Sequence, residues 1–268
     1  MQNNKFHYCL HILPILFFMA FVSASCIKDD LSDCPAPRTS GFSLQVKAFD
    51  ADGGSLGSET IKDITLYIFD ADKALLDTRN ILLSEIVFLD YPGHDNLKLV
   101  AWGNGKQGAQ SMPALKEGDH LETAFVSLIQ TRTTLPVAGS PDDLFYGTID
   151  ITPDADASAR ELPLRRKVSV VAITARYLRE YVGSTEGEYH YIVRKTTDKL
   201  DFYGKPNGTE VNYRPQAAFN DNGEFVSSAF NIFPTEADIK IYIYHRDVLK
   251  TTVIADSNGN PLRVAEGR

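Results

Sequence analysis

The sequence predicts an all-β chain in which two antiparallel β-sandwich domains follow a cleaved leader and a short tether. Three observations carry this. From residue 42 onward, apolar and polar side chains alternate at period two in short runs. Clusters of Gly, Asn, Asp and Pro separate those runs at the spacing of antiparallel sandwiches. No segment beyond residue 25 is apolar over the roughly 20 residues a bilayer span needs.

The leader comes first. Residues 1–25 hold Lys5, an apolar run from Ile12 to Val22 and the small residues Ser23, Ala24 and Ser25. That order is the pattern of a signal peptide. A transmembrane helix is the alternative, but the run is too short and contains Pro14. Cys26 follows the small triplet, as in the bacterial lipobox, although Ser23 stands where leucine is usual. Cleavage there would leave Cys26 as a diacylated N-terminus. The alternative is an ordinary secretory signal with Cys26 pairing elsewhere. One acyl chain binds a bilayer only marginally, whereas two or three hold it. Residues 26–40 then read as a lipidated tether.

The first sandwich is expected over residues 41–155. Phe42, Leu44, Val46 and Ala48 alternate with Ser43, Gln45 and Lys47, and Asp50 to Ser55 supply a turn. Ile64, Leu66 and Ile68 alternate with Thr65, Tyr67 and Phe69, a strand expected to be covered on both faces. Leu97, Leu99 and Ala101 lead to Trp102 and the loop Gly103-Asn104-Gly105. Phe125 to Ile129 and Leu144 to Ile151 add two strands, while Leu82 to Leu89 is too short and β-branched for a helix. A polar, proline-marked stretch from Thr152 to Pro163 sets the boundary.

The second sandwich is expected over residues 156–268. Val168 to Ala175 is nearly all β-branched or small, as in a strand buried on both faces. Tyr189 to Val193, Thr209 to Tyr213 and Gly223 to Val226 are shorter strands. Ile239, Ile241 and Ile243 alternate with Lys240, Tyr242 and Tyr244; Val248 to Ile254 and the turn Asp256 to Asn260 follow.

Charge and cysteine content narrow the function. The whole chain has 27 basic and 35 acidic side chains; losing Lys5 with the leader leaves 26 against 35, a net of −9. With no basic stretch, nucleic acid is not an expected partner. Of three cysteines, Cys9 leaves with the leader and Cys26 is acylated, so Cys34 has no internal disulfide partner and no thiol metal site is possible.

No catalytic or metal-binding constellation emerges, and no cofactor or small-molecule substrate is expected. His94, His120, His190 and His245 lack metal-helix spacing, and His245 reads as an exposed polar position. Gly103-Asn104-Gly105-Lys106 lacks the rest of a phosphate loop and reads as a plain loop. Asp50-Ala51-Asp52-Gly53 and Asp256-Ser257-Asn258-Gly259 lack the closing glutamate of a calcium loop and read as turns.

The segment Cys26 to Pro35 (CIKDDLSDCP) resembles the start of mature FimB-type fimbrial anchor lipoproteins. Ile64 to Asp70 (ITLYIFD), Leu99 to Asn104 (LVAWGN) and Leu164 to Ile173 (LRRKVSVVAI) resemble later pieces of the same family. Lys28, Asp29 and Asp30 resemble its surface-export signal. The resemblance implies a pair of transthyretin-like sandwiches, lipid-anchored in the outer membrane and facing the cell surface. It implies a fimbrial stalk subunit as partner, joined by strand complementation, and a possible limit on fibre length. Arg38 then reads as a solvated tether charge, and Arg165, Arg166 and Lys167 as polar strand-start residues. Relatives continue past Asn260-Pro261, while here only a trace of strand runs from Leu262 to Arg268. A truncated product and an open assembly groove both fit that ending. The competing function is a surface lipoprotein that binds glycan or host protein, with Tyr67, Tyr242 and Tyr244 as outward stacking residues.

Overall fold

The computed structural model describes residues 41–131, 135–152 and 159–267. The predicted leader and tether, with Cys26, Lys28, Asp29 and Asp30, lie outside the described residues.

The chain opens with β1 (Phe42–Phe49), β2 (Ser55–Leu56), β3 (Ile64–Phe69), β4 (Leu75–Ile81), β5 (Ile86–Leu89) and β6 (Leu97–Gly103). It then leaves that layer through β7 (Gln110–Ser111), a 3-10 turn at Leu121–Thr123, β8 (Phe125–Leu128) and β9 (Val137–Ala138). It returns with β10 (Phe145–Ile151) and β11 (Arg160–Arg166). These strands form an eight-stranded sheet in the order β2-β1-β11-β10-β6-β3-β4, with β5 also paired to β1. The β1–β11 pairing is parallel, Leu44 opposite Arg160 through Phe49 opposite Arg165.

Period-two alternation sends Phe42, Leu44, Val46 and Ala48 of β1, with Leu66 and Ile68 of β3 and Leu99 of β6, into one core. The other faces of β3 and β6 are buried too. Tyr67, Phe69, Val100 and Trp102 enter a second, larger core with Val126 and Phe202. Covering β3 on both faces explains its unbroken apolar run, as its sequence predicts.

The rest of the chain supplies β12 (Ser169–Val171), β13 (Thr174–Ala175), a five-residue helix α1 (Leu178–Val182), β14 (Tyr189–Thr197), β15 (Lys199–Asp201) and β16 (Glu210–Tyr213). Then come β17 (Ala217–Phe219), β18 (Phe225–Ser227), β19 (Phe230–Ile232), β20 (Lys240–His245) and β21 (Val248–Val253). A five-stranded sheet runs β21-β20-β14-β16-β9, and smaller sheets pair β12 with β19, join β13-β18-β17, and join β15-β8-β7. Among the described residues no helix is long and apolar enough to cross a membrane.

Membership of these sheets departs from a linear division at 155/156. Strand β11, on the far side of that boundary, lies between β1 and β10, while β8 pairs with β15, β9 pairs with β16, and β7 joins through β8. Pro163 hid β11 in the sequence, because proline is rarely found inside a sheet. Here the ladder to β10 is confined to Phe145–Arg166 and Tyr146–Arg165, so Pro163 interrupts no pairing on that side. Leu162 and Leu164 still point inward. The larger core draws on both halves of the sequence, and the described residues pack as one unit.

One further expectation is corrected. Val168 to Ala175 is not buried on both faces: β12 and β13 pair only with β19 and β18, and Val170 stays 50% exposed. Its β-branched residues register strand propensity rather than double burial. The trace of strand after Pro261 docks without forming a ladder. Leu262 O accepts from Ile239 N at 2.9 Å, Val264 O accepts from Thr235 N at 3.1 Å, and the Val264 side chain is buried in the larger core.

Candidate assembly edge

In a β protein, the edges of the sheets are where another chain can pair. An edge strand offers unpaired N–H and C=O groups, and natural proteins blunt most edges with charge, bulges or cover.

The edge at β4 is blunted. Its sequence, LLDTRNI, puts Asp77 and Arg79 on one face, where Arg79 Nε donates to Asp77 Oδ2 at 2.8 Å. Tyr91 Oη donates to the same Oδ2 at 2.9 Å, and Arg79 Nη1 donates to Phe88 O at 3.3 Å. Burial opposes ionisation of Asp77, but the hydrogen bonds from Arg79, Tyr91 and Thr78 N outweigh it and hold its pKa below the ordinary value. Burial, followed by the Asp77 carboxylate, pushes Tyr91 up to about 12.

The edge at β21 differs. Its sequence, VLKTTV, carries one charge, and no strand pairs its outer side among the described residues. Val248 and the adjoining Ile254 are each 56% exposed, Leu249 is 45% exposed, and Val253 is also exposed. Strand β21 is held on its inner side by β20, with Ile241 opposite Val253 and Ile243 opposite Thr251. A bulge between Ile243 and Tyr244 sets Lys250 outside the regular register. The hairpin turns through Arg246 and Asp247, both left-handed at φ 49° and 59°, as a two-residue type I′ connection requires. Beside this edge, α1 exposes Tyr177 and Tyr181, and Tyr181 Oη reaches Lys250 O at 3.4 Å.

Residues singled out in the sequence have other duties. His245 is buried, corrected from the expected exposed position; its Nε2 lies 2.6 Å from Glu186 O and its ring stacks on Tyr189. The inward face of β20 places it there, and neighbouring rings dry it. His190 stacks on Tyr244 at 5.0 Å, and burial, then Arg214, lowers its pKa. Among the described residues, no three His, Cys, Asp or Glu are grouped to hold a metal ion.

The three tyrosines considered as sugar platforms are engaged elsewhere. Tyr67 is buried against Phe202 with ring centroids 4.9 Å apart. Tyr242 lies beneath Arg194, and Tyr244 is stacked on His190. The outward aromatics beside the β21 edge are Tyr177, just before α1, and Tyr181 within it. They escaped notice because α1 is a single short helix between strands, with no period to flag it.

The loop and turn readings have a direct physical account. Asn104, left-handed at φ 60°, accepts from Lys62 N at 2.8 Å and donates to Thr60 O and Asp143 O at 2.9 Å each, tying three loops together. Asp50 Oδ1 accepts from Asp52 N and Gly54 N at 3.0 and 2.6 Å. Asp256 Oδ1 accepts from Asn258 N and Asn260 N, both at 2.8 Å. Asp201 and Asn220 repeat this pattern of bonds two and four residues ahead. Arg166 makes a two-pronged pair with Asp143 at 2.7 and 2.8 Å, and the buried Lys167 pairs with Glu266.

The family model for fimbrillin-A associated anchor proteins Mfa1 and Mfa2 matches residues 31–265. The major fimbrium anchoring subunit FimB of Porphyromonas gingivalis is 25% identical over 275 residues, covering 95% of this chain and 86% of that protein. The fimbrial anchor protein Mfa2 of P. gingivalis shares the fold at a TM-score of 0.62 and 14% identity, covering 84% of this chain and 81% of that one. A putative polysaccharide binding protein of Bacteroides thetaiotaomicron superposes at 0.64 and 16% identity, covering 80% and 78%. The chain belongs to the family of fimbrillin-A associated anchor proteins.

Proposed function

We propose that this chain is the lipid-anchored base of a cell-surface fimbrium. Cys26, acylated after cleavage behind Ser23-Ala24-Ser25, holds it in the outer membrane, and Lys28, Asp29 and Asp30 direct it to the cell surface. The β21 edge receives an extended strand from the first stalk subunit, and in this way the chain attaches the fibre and limits its length. Backbone bonds along such an added strand supply affinity, and pockets for alternate side chains supply register. We read its two cores as two transthyretin-like sandwiches with interleaved membership, and its role as structural rather than catalytic. The single observation that carries the reading is the family match over nearly all of the mature chain.

Deleting the gene tests it. The expected outcome is fimbriae shed into the medium and longer than normal; cell-attached fibres of normal length would contradict the anchor role. In the intact chain, Cys26→Ala should move the protein from the membrane to the soluble fraction. Its retention on membranes would remove the lipid from the account.

A further inference from the structure

A second apolar surface lies at the start of the described chain. Leu82, Ile86 and Phe88 are 68, 65 and 61% exposed. Strand β5 alternates, so Val87 and Leu89 face the core while Ile86 and Phe88 face out. Its register with β1 sets Phe88 opposite Ser43 and Ile86 opposite Gln45. The turn before β5 is fixed. Glu85 accepts from Leu82 N at 2.8 Å, Gln45 Nε2 donates to Ser84 O at 2.9 Å, and Ser84 N donates to Val46 O at 2.9 Å. Three large apolar side chains are thus held outward on a rigid support. The Phe88 ring also fills the space that a Cβ on Gly41 would need, so the cluster sits where the chain enters the first strand.

We infer that Leu82, Ile86 and Phe88 rest on the acyl-chain boundary of the bilayer to which Cys26 is fixed, an inference that rests on the lipid-anchor reading. Gly41 is 15 residues from Cys26, which spans at most about 50 Å however those residues are arranged. A surface confined that close to a bilayer meets it at an effective concentration in the millimolar range, so even weak insertion is populated. The cluster exposes only a few hundred Å², well below the ~800 Å² per partner of a stable protein interface. The arginine and tyrosine beside it, Arg79 and Tyr91, are already engaged with Asp77 and, for Arg79, with Phe88 O, so neither is free to anchor a protein hot spot. Glu85 flanks it on one side and Arg79, whose Nη1 donates to Phe88 O, on the other, so its rim has no excess of positive charge to draw it to an anionic surface, and a neutral lipid surface suffices.

Insertion is read with Phe88→Trp in the full mature chain, and separately with Ile86→Trp in case the larger ring disturbs the packing over Gly41. The one native tryptophan, Trp102, is fully buried and gives a constant background. The chain, lipidated or as Cys26→Ala, is mixed with phosphatidylcholine vesicles whose acyl chains are plain or brominated. Bromine should quench either probe in the lipidated chain, and in Cys26→Ala as lipid reaches millimolar levels. Adding Leu82→Ser and Ile86→Ser to the Phe88→Trp chain should raise the lipid needed by roughly tenfold or more. A lipidated chain that floats with vesicles while both probes stay unquenched overturns the inference and leaves the anchor standing. If the wild-type chain does not float, the anchor reading falls, and quenching or its absence in Cys26→Ala still decides the cluster. A probe that responds only to added stalk subunit assigns the cluster to a protein contact and also overturns the inference.

Discussion

Strands β4 and β21 each end a sheet, and the chain treats them differently. At β4 the outward groups are occupied: Asp77 binds Arg79 and Tyr91, and Arg79 reaches across to the carbonyl of Phe88. At β21 four aliphatic side chains lie exposed around one lysine, and Tyr181 alone reaches over the strand from α1 among the described residues. Both edges have the same backbone chemistry, so side chains decide which one can accept another strand. An edge carrying fixed charge desolvates poorly against a partner, whereas an apolar edge invites one. On the proposed reading, the more apolar β21 edge is the one that takes up a strand of the stalk subunit.

The sharpest way to break this contrast is to blunt β21 as β4 is blunted. Leu249→Glu with Val253→Glu should weaken capture of the stalk subunit by about a hundredfold or more, because a partner strand would bury both carboxylates unpaired. Melting temperature should hardly move, since both positions already face water. Equal capture by the double variant, measured by surface plasmon resonance, would take assembly away from β21.

The reciprocal change at β4 should affect stability and leave capture alone. Asp77→Ala removes one carboxylate from Arg79 and Tyr91. The expected loss is about 0.5–1 kcal/mol, because both members of the ion pair keep roughly a third of their surface in water. Chemical denaturation reads this directly. The pH dependence carries the same signature: Asp77 titrates below 3.8 in the folded chain. Its contribution is therefore complete above the unfolded value and is lost as pH falls through the lower folded one. The stability gap between parent and Asp77→Asn should be constant near neutrality and narrow as acid takes the pH below the ordinary carboxylate range. A gap that stays the same or widens on acidification would contradict the assignment.

Much of the fold was legible because alternation is local. Phe42 to Ala48, Ile64 to Phe69 and Ile239 to Tyr244 announce their strands residue by residue. The unread parts depend on pairing between distant residues. Pro163 argued against a strand, yet the parallel ladder to β1 accommodates it. His245 looked like a polar strand end until Tyr189 and Glu186 closed around it. The double cover of Tyr67 and Phe69 was expected, but nothing nearby in sequence says that Phe202, more than 130 residues on, supplies it. The candidate site was half legible. Val248 to Ile254 read as a strand, but its place at the end of a sheet could not be read from a run of seven residues.

Amide hydrogen exchange on the complex with the stalk subunit tests the assembly claim most directly, with β4 as the internal control. Slower exchange at the outward amides of Val248–Val253, with Leu75–Ile81 unchanged, is the predicted result. A complex that forms while the β21 amides exchange as fast as in the free chain would contradict it.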